Sequence, residues 1–260
     1  MRTTDQAPRV GVIVVAYNAE STLEAVLDRI PASFWQTCAG VWVSDDGSTD
    51  ATHEKALRWW AAHNQHPLTI VRQPVNLGYG GNQKAGYRWA MAHDLDVVVL
   101  LHGDGQYAPE IIDDLVSPIT AGTADAVMGS RMLTKGGARR GGMPRYKYVG
   151  NRILSRFQNA VSGARLSEWH SGYRAYSVAA LREIPFPTNS DGFDFDTEIL
   201  LQLMSRRKRI AEVPIPTYYG DEICRVAGMK YAAEVVFATL AWRLREGRRA
   251  QRALPAPVPD

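Results

Sequence analysis

The chain predicts an α/β protein built on a doubly wound, mainly parallel sheet. Short runs of Val, Ile and Leu alternate with segments whose apolar residues recur at helical spacing. The connections between them are short, as βαβ units require. Several apolar runs also end abruptly in polar residues, and open α/β sheets bind ligands at the carboxyl ends of their strands.

The elements follow in order. Val10 to Ala16 (VGVIVVA) reads as a buried first strand, and Ser21 to Ile30 as a helix with Leu23, Val26, Leu27 and Ile30 on one face and Ser21 as its cap. Val41 to Val43 is a short second strand that ends in Ser44-Asp45-Asp46-Gly47-Ser48, followed by a helix over Ala51 to Ala62. Leu68 to Arg72 is a third strand, Gly78 to Gly81 a glycine-rich turn and Gln83 to His93 a helix. Val97 to Leu101 is a fourth strand that stops at His102-Gly103-Asp104-Gly105-Gln106, and Pro109 opens the next helix. Ala126 to Gly129 is a fifth strand. The pattern then loosens, and paired glycines around Arg139 and Arg140 predict a mobile loop. Near the end, Met229, Ala233, Val236, Leu240 and Leu244 recur at helical spacing before an arginine run, and Ala253 to Asp260 is expected to be disordered.

Composition narrows the function. With 260 residues, 45% hydrophobic and 22% charged, the chain suits one large domain with an ample core. A net charge of +3 is too small to argue for nucleic acid. Basic residues cluster at Arg139, Arg140, Arg145, Lys147 and Arg152, and again at Arg243, Arg245, Arg248, Arg249 and Arg252, where phosphates or an anionic membrane surface would be met. Cys38 and Cys224 form no metal or disulfide framework and are expected to be free thiols. There is no apolar leader and no run of about 18 apolar residues, so the cytoplasm is the expected location.

Polar residues at the strand ends carry the chemistry. Asp104 and Gln106 offer oxygens two residues apart, suited to a hard divalent cation, although Asp104 would also serve as a plain helix cap. At the first two strand ends, Tyr17 can stack on a base and Asp45 or Asp46 can accept hydrogen bonds from a nucleoside; turn chemistry is the bland account of Asp46-Gly47-Ser48. The glycines of Asn76 to Lys84 allow close backbone approach to a ligand, and Lys84 is in position to reach a phosphate, but the spacing is neither a P-loop nor a dinucleotide fingerprint. Arg131 and Arg174 are fork donors suited to a diphosphate. Asp194, Asp196 and Glu198 precede an apolar run; they suit a helix start, or one of them serves as a base.

Taken together, these landmarks resemble family 2 glycosyltransferases. Tyr17-Asn18-x-Glu20, Asp45-Asp46-Gly47-Ser48, Asn76-Leu77-Gly78, the Asp-x-Asp-like site, Gly129-Ser130-Arg131 and the late acidic segment stand in family order from Val10 to about Asp221. Within the family, Asp104-Gly105-Gln106 and Ser171-Gly172-Tyr173-Arg174 most resemble the soluble dolichyl- or polyprenyl-phosphate sugar synthases. The resemblance implies a GT-A fold: a mainly parallel, Rossmann-like sheet sandwiched by helices, with a C-terminal amphipathic helix. It implies a single domain over residues 1–250, with a nucleotide-binding half to about 125, an acceptor half over about 126–222 and a helix over about 228–246. It also implies a nucleotide-diphosphate-sugar donor of GDP-mannose or UDP-glucose type, and a lipid-phosphate acceptor.

By the same resemblance, Ala16, Tyr17, Asn18, Glu20 and Asp45 bind the nucleoside, and Gly78 and Lys84 lie near base and ribose. Asp104 and Gln106 hold Mg²⁺ or Mn²⁺, and Arg131 touches the donor diphosphate or the acceptor phosphate, with Arg174 as a second candidate. Transfer is expected to invert the anomeric centre. A hydroxyl acceptor would need Asp196 as base, ahead of Glu198; a phosphate acceptor, already ionised, would not. One departure stands out: His102 occupies the place of the family's first acid. An imidazole can ligate Mn²⁺ and suits Mg²⁺ poorly, and His102 is expected behind the ligands or facing the sugar. Two other readings compete. A sugar-1-phosphate nucleotidyltransferase would carry a glycine-rich loop with Arg and Lys after the first strand, where this chain has Ala16 to Glu20; a non-catalytic nucleotide-sugar binder would be one made inert by His102.

Overall fold

The computed structural model describes residues 7–218 and 228–252, with side chains to residue 246. The tail over 253–260, Cys224 and the side chains of Arg248, Arg249 and Arg252 lie outside the described residues. Among the described residues, seven strands form one sheet: β1 Val10–Ala16, β2 Gly40–Asp45, β3 Leu68–Arg72, β4 Val97–His102, β5 Ala126–Ser130, β6 Arg174–Ser177 and β7 Ile210–Pro214. Their order is β3-β2-β1-β4-β6-β5-β7. All neighbours are parallel except β6, which runs antiparallel to both β4 and β5.

The continuous apolar runs of β1 and β4 follow from burial on both faces, as parallel strands between helical layers require. One layer holds α1 Leu23–Asp28, α2 Ala32–Thr37, α3 Thr52–Ala62 and α5 Ile112–Thr120, against Val12, Val14, Val99 and Leu101. The opposite layer holds α4 Tyr79–Ala92, α8 Val178–Arg182 and α9 Phe195–Ser205, against Ile13, Val15, Val98 and Leu100. A short helix, α6 Gly137–Arg140, leads to α7 Arg145–Ser162, and both α7 and α9 pack against α10 Gly228–Arg252.

Several expectations are corrected here. Ser21 does not cap α1; its N-cap is Thr22, whose hydroxyl donates instead to the Gly103 carbonyl at 2.7 Å. The residues around Arg139 and Arg140 form α6 rather than a loop, and Arg145 to Arg152 lie on α7. The run Gly78 to Gly81 is not a free turn: Gly80 and Gly81 lie inside α4. Glycine in a helix costs about 1 kcal/mol relative to alanine. Packing explains it, because a Cβ at Gly80 would stand 2.5 Å from the Ser190 carbonyl oxygen and 2.7 Å from Phe195 Cβ. The glycines therefore admit another segment of the chain, the 190–195 loop.

Candidate active site

In the order β3-β2-β1-β4, successive strands step outward on one side of β1 as far as β3, and β4 then returns to the other side of β1; this switch between the parallel β1 and β4 makes a crevice at their carboxyl ends. Strand register brings the predicted residues there: Ala16 pairs with Asp45 and Val15 with His102. Beyond the strands the backbones stay joined, Asp46 N donating to the Ala16 carbonyl at 2.8 Å and Gly103 N to the Val15 carbonyl at 2.9 Å.

The residues expected on the nucleoside side divide into two groups. Asn18 and Glu20 lace the β1 and β2 ends together. The Asn18 side chain accepts from Thr49 N at 2.9 Å, and Glu20 accepts from Ala51 N at 3.0 Å, at the N-terminal end of α3. Asn18 takes a left-handed φ of 49°, which Asn tolerates better than most residues. Tyr17 and Asp45 differ from these: the first is exposed and the second buried. Tyr17 is 41% exposed. Asp45 Oδ1 accepts from Ser48 N, while its buried Oδ2 has no hydrogen-bond donor and Arg72 Nε stands 3.5 Å away. A buried carboxylate oxygen without a donor is costly, and a nucleobase or ribose donor would satisfy it. Asp46 faces away from this pair; Asp46 Oδ1 accepts from Leu77 N, and burial pushes the carboxyl up.

At the β4 end, Asp104 is half exposed and its Oδ1 accepts from Gln106 N at 3.1 Å, a local turn held by Gly105 at φ 79°. An open carboxylate with a partly exposed amide beside it, at the crevice, fits a hard divalent cation. Among the described residues no cluster of three His, Cys, Asp or Glu makes a closed metal cage, so phosphate and water oxygens would complete the shell.

Behind Asp104 lies a polar relay that the sequence did not announce. Tyr79 OH donates to Asp196 Oδ2 at 2.9 Å, and His102 Nε2 stands 3.2 Å from the Tyr79 hydroxyl. Gln83 donates to Asp196 Oδ1 at 3.2 Å, and Arg174 Nη2 lies 3.5 Å from Asp196 Oδ2. Burial pushes the His102 imidazole below its ordinary value against the opposing pull of Asp104 and Asp196. Burial drives the Tyr79 phenol well above its ordinary value, and Asp196 adds to that.

The three basic residues read as phosphate contacts are all engaged with groups of the protein. Arg174 is fully buried in the centre of the sheet, opposite Leu100 and Met128, and donates to the carbonyls of Ser171, Trp169 and Asp196. Its fork anchors Asp196 and does not face a diphosphate. Lys84 is buried too; its ammonium donates to the Asn189 carbonyl and, at 2.8 Å, to Asp191, tying α4 to the 190–195 loop. Gly78, at φ 79°, faces the same loop, since a Cβ there would lie 2.7 Å from the Asp191 carbonyl oxygen. Arg131 is largely spent on Glu168, which is fully buried and accepts from Arg131 N at 2.7 Å and from its guanidinium. Burial alone would raise the Glu168 carboxyl; the charge and hydrogen bonds of Arg131 outweigh it and hold the group below its ordinary value.

Glu198 does not join Asp196. Its carboxylate accepts from Ser190 N at 2.6 Å, and burial raises it. The residues missed from sequence are Tyr79, Gln83, Glu168 and Tyr107, whose hydroxyl accepts from Gly172 N at 2.7 Å. Tyr79 and Gln83 lie within the glycine-rich segment, whose local signal is its glycines and Lys84.

The crevice therefore gathers Tyr17, Asp45 and Asp104 at the carboxyl edge of the sheet, with the Tyr79–Asp196 relay behind them. The model of glycosyl transferase family 2 matches residues 11–184. The chain belongs to that family and is a glycosyltransferase. An undecaprenyl-phosphate mannosyltransferase of Micrococcus luteus is 29% identical over 95% of this chain and 100% of its own length. A dolichyl-phosphate hexose transferase of Haloferax volcanii is 32% identical over 79% of this chain and 81% of its own. Glucosyl-3-phosphoglycerate synthase of Mycobacterium tuberculosis, in a complex with Mn²⁺, UDP and phosphoglyceric acid, superposes with a TM-score of 0.68 at 21% identity, covering 96% of this chain and 80% of that one. The fold is thus the expected GT-A arrangement.

Proposed function

We propose that the chain transfers a hexose from a nucleotide-diphosphate sugar, of GDP-mannose or UDP-glucose type, to the phosphate of a polyprenyl or dolichyl carrier. An acceptor phosphate oxygen forms the new bond to the anomeric carbon. The bond from that carbon to the donor diphosphate breaks on the opposite face, the electron pair leaves with the diphosphate, and the configuration inverts. Tyr17 and Asp45 hold the nucleoside, and Asp104 with Gln106 hold a divalent cation, Mg²⁺ or Mn²⁺. That cation, when bound, neutralises charge on the leaving diphosphate. Arg131 orients the acceptor side through its fixed pair with Glu168.

The observation that carries the acceptor reading is the state of Asp196. Its carboxylate is 5% exposed and is held by Tyr79, Gln83 and Arg174. A base so enclosed is poorly placed to take a proton from a hydroxyl acceptor. A phosphate acceptor has a second pKa of about 6 and needs positioning more than a base. The relatives named for polyprenyl- and dolichyl-phosphate acceptors support the same reading. The test is transfer of labelled hexose to undecaprenyl phosphate, free polyprenol and a soluble saccharide. Label is expected on the phosphate acceptor alone. Equal transfer to a hydroxyl acceptor, abolished by Asp196→Asn, would replace this reading with a hydroxyl acceptor and Asp196 as base. A thermal-shift panel of GDP-mannose and UDP-glucose, with Mg²⁺ or Mn²⁺, identifies the donor by mass action.

The protein is further proposed to dock peripherally on the anionic inner face of the cell membrane. Among the described residues no helix is long and apolar enough to cross a membrane. Of the expected apolar stripe of α10, Met229, Ala233, Leu240 and Leu244 are exposed and Val236 is half-buried; Phe237 beside it is exposed too, while Val235 and Trp242 pack inward, Trp242 donating to Ser205 at 2.8 Å. The neighbouring α7 exposes Tyr146, Val149 and Ile153 at helical spacing among Arg145, Arg152 and Arg156. Such faces suit an interface with anionic lipid. Co-sedimentation with anionic but not neutral liposomes, weakened by Ile153→Glu or Phe237→Glu, is expected; wild-type protein that stays in the supernatant would end the idea.

A further inference from the structure

His102 stands where the family resemblance led us to expect an acid, and the relay behind it defines what its ring can do. Tyr79 has one hydroxyl proton, and it points to Asp196 Oδ2 at 2.9 Å. Asp196 is already charge-paired with Arg174 and accepts from Gln83, so it acts as an acceptor there. A tyrosine hydroxyl whose proton is committed can only accept from a further neighbour. His102 Nε2, at 3.2 Å, must therefore carry the ring proton, and in the neutral ring the lone pair is on Nδ1.

The ring is also boxed. Tyr79 and Tyr107 meet it edge-on, with centroids at 5.5 and 5.0 Å. Gly172 closes a further side, because a Cβ there would stand 2.6 Å from His102 Cε1 and 2.7 Å from the Tyr79 hydroxyl. The Nδ1 edge faces Asp104, with 4.0 Å between Nδ1 and Asp104 Oδ2. That is too long for a hydrogen bond. Neighbouring ligands at about 2.1 Å from one cation stand about 3 Å apart, and the half-exposed Asp104 needs to move inward by only about 1 Å to reach that spacing.

We propose that His102 is a direct ligand of the divalent cation through Nδ1, beside Asp104, with Tyr79 and Asp196 fixing the tautomer. A ligating histidine typically donates its other ring N–H to a carboxylate or another acceptor, and here that outer partner is in place. A nitrogen and oxygen donor set favours first-row transition ions over Mg²⁺. The site therefore takes Mn²⁺ in preference to Mg²⁺, and His102 is a specificity-determining residue rather than an inactivating one. This rests on the cation reading given above for Asp104.

The test uses the full chain with Mn²⁺ and either UDP or GDP, followed by electron paramagnetic resonance. Loss of the free Mn²⁺ signal reports binding, and pulsed measurements report the ligands. Nitrogen coupling to bound Mn²⁺ is expected, changing character when the histidines carry ¹⁵N and vanishing in His102→Asp while Mn²⁺ still binds. In that variant, Mg²⁺ is expected to displace Mn²⁺ at least tenfold more effectively than in the wild type; His102→Asn serves as a second variant with no acid introduced. Bound Mn²⁺ without nitrogen coupling in the wild type, or coupling that persists in both variants, overturns the role of His102 and leaves the cation reading standing. No Mn²⁺ retention with either diphosphate overturns the cation reading itself, and this inference with it.

Discussion

The two halves of the sheet use the same residue types in opposite ways. In the half formed by β1 to β4, polar residues stand at strand ends and two of them keep an open side: Tyr17 is 41% exposed and Asp104 half exposed, while Asp45 Oδ2, buried beside Arg72, lacks a hydrogen-bond donor. In the half formed by β5 to β7, the charged residues close on one another. Arg131 pairs with Glu168, and Arg174 anchors Asp196 from the centre of the sheet. The difference comes from strand direction and position. Parallel strands before a switch point deliver their last residues to one edge. The antiparallel β6 begins with Arg174 between β4 and β5, so that side chain is enclosed. A fork donor in a motif is thus available to a ligand only where the topology leaves it unpaired.

That contrast is breakable. The largest effect is expected from Arg174→Ala, which would leave Asp196 buried without its cation and cost about 3–5 kcal/mol of stability, read by chemical denaturation. A variant of unchanged stability that lost only donor binding would return Arg174 to the ligand side and erase the comparison. Asp104→Asn should do the reverse: transfer falls about 10²–10³-fold, by analogy with loss of one transition-state charge stabiliser, with stability altered by less than about 0.5 kcal/mol.

The enclosed half also carries a pH signature. His170 Nδ1 stands 2.8 Å from the Tyr231 hydroxyl and its Nε2 is buried without a partner. Burial lowers the ring to about 4, against a usual value of 6.5. The depressed folded value means that the unfolded chain binds the extra proton between those two values. Stability therefore rises with pH across that window and falls on acidification, by about 3 kcal/mol at most. Denaturation curves at several pH values should show this slope, and His170→Gln should flatten it. The smallest effect is on the open side: Tyr17→Ala should weaken donor binding by about 1–2 kcal/mol, the scale of base stacking on an aromatic ring, with stability near wild type. Titration with the donor checks it.

Much of the first half was legible in the residues. The apolar runs of β1, β3 and β4 start where the structure starts them, and the abrupt polar stops after Ala16, Val43 and Leu101 do lie at the carboxyl edge of the sheet. The second half was not. β6 is the four residues Arg-Ala-Tyr-Ser, with no apolar run to announce a strand, and its burial comes from the neighbours on either side. α7 has a clear amphipathic spacing, but paired glycines just before it read as a loop. The glycines of α4 were read as room for a ligand, whereas they make room for the 190–195 loop.

The residues alone therefore established the α/β class, the family and the polar edge of the sheet, because local periodicity and strand-end chemistry are written in short stretches of chain. Which charged groups remain open was decided only by tertiary structure. Lys84 meets Asp191, Arg131 meets Glu168 and Arg174 meets Asp196 across separations of 22 to 107 residues. The same holds for His102 at the end of β4, whose proton position depends on Tyr79 of α4 and Asp196 of α9. Pairing of charges and choice of tautomer are set by neighbours in space, and no local pattern encodes them.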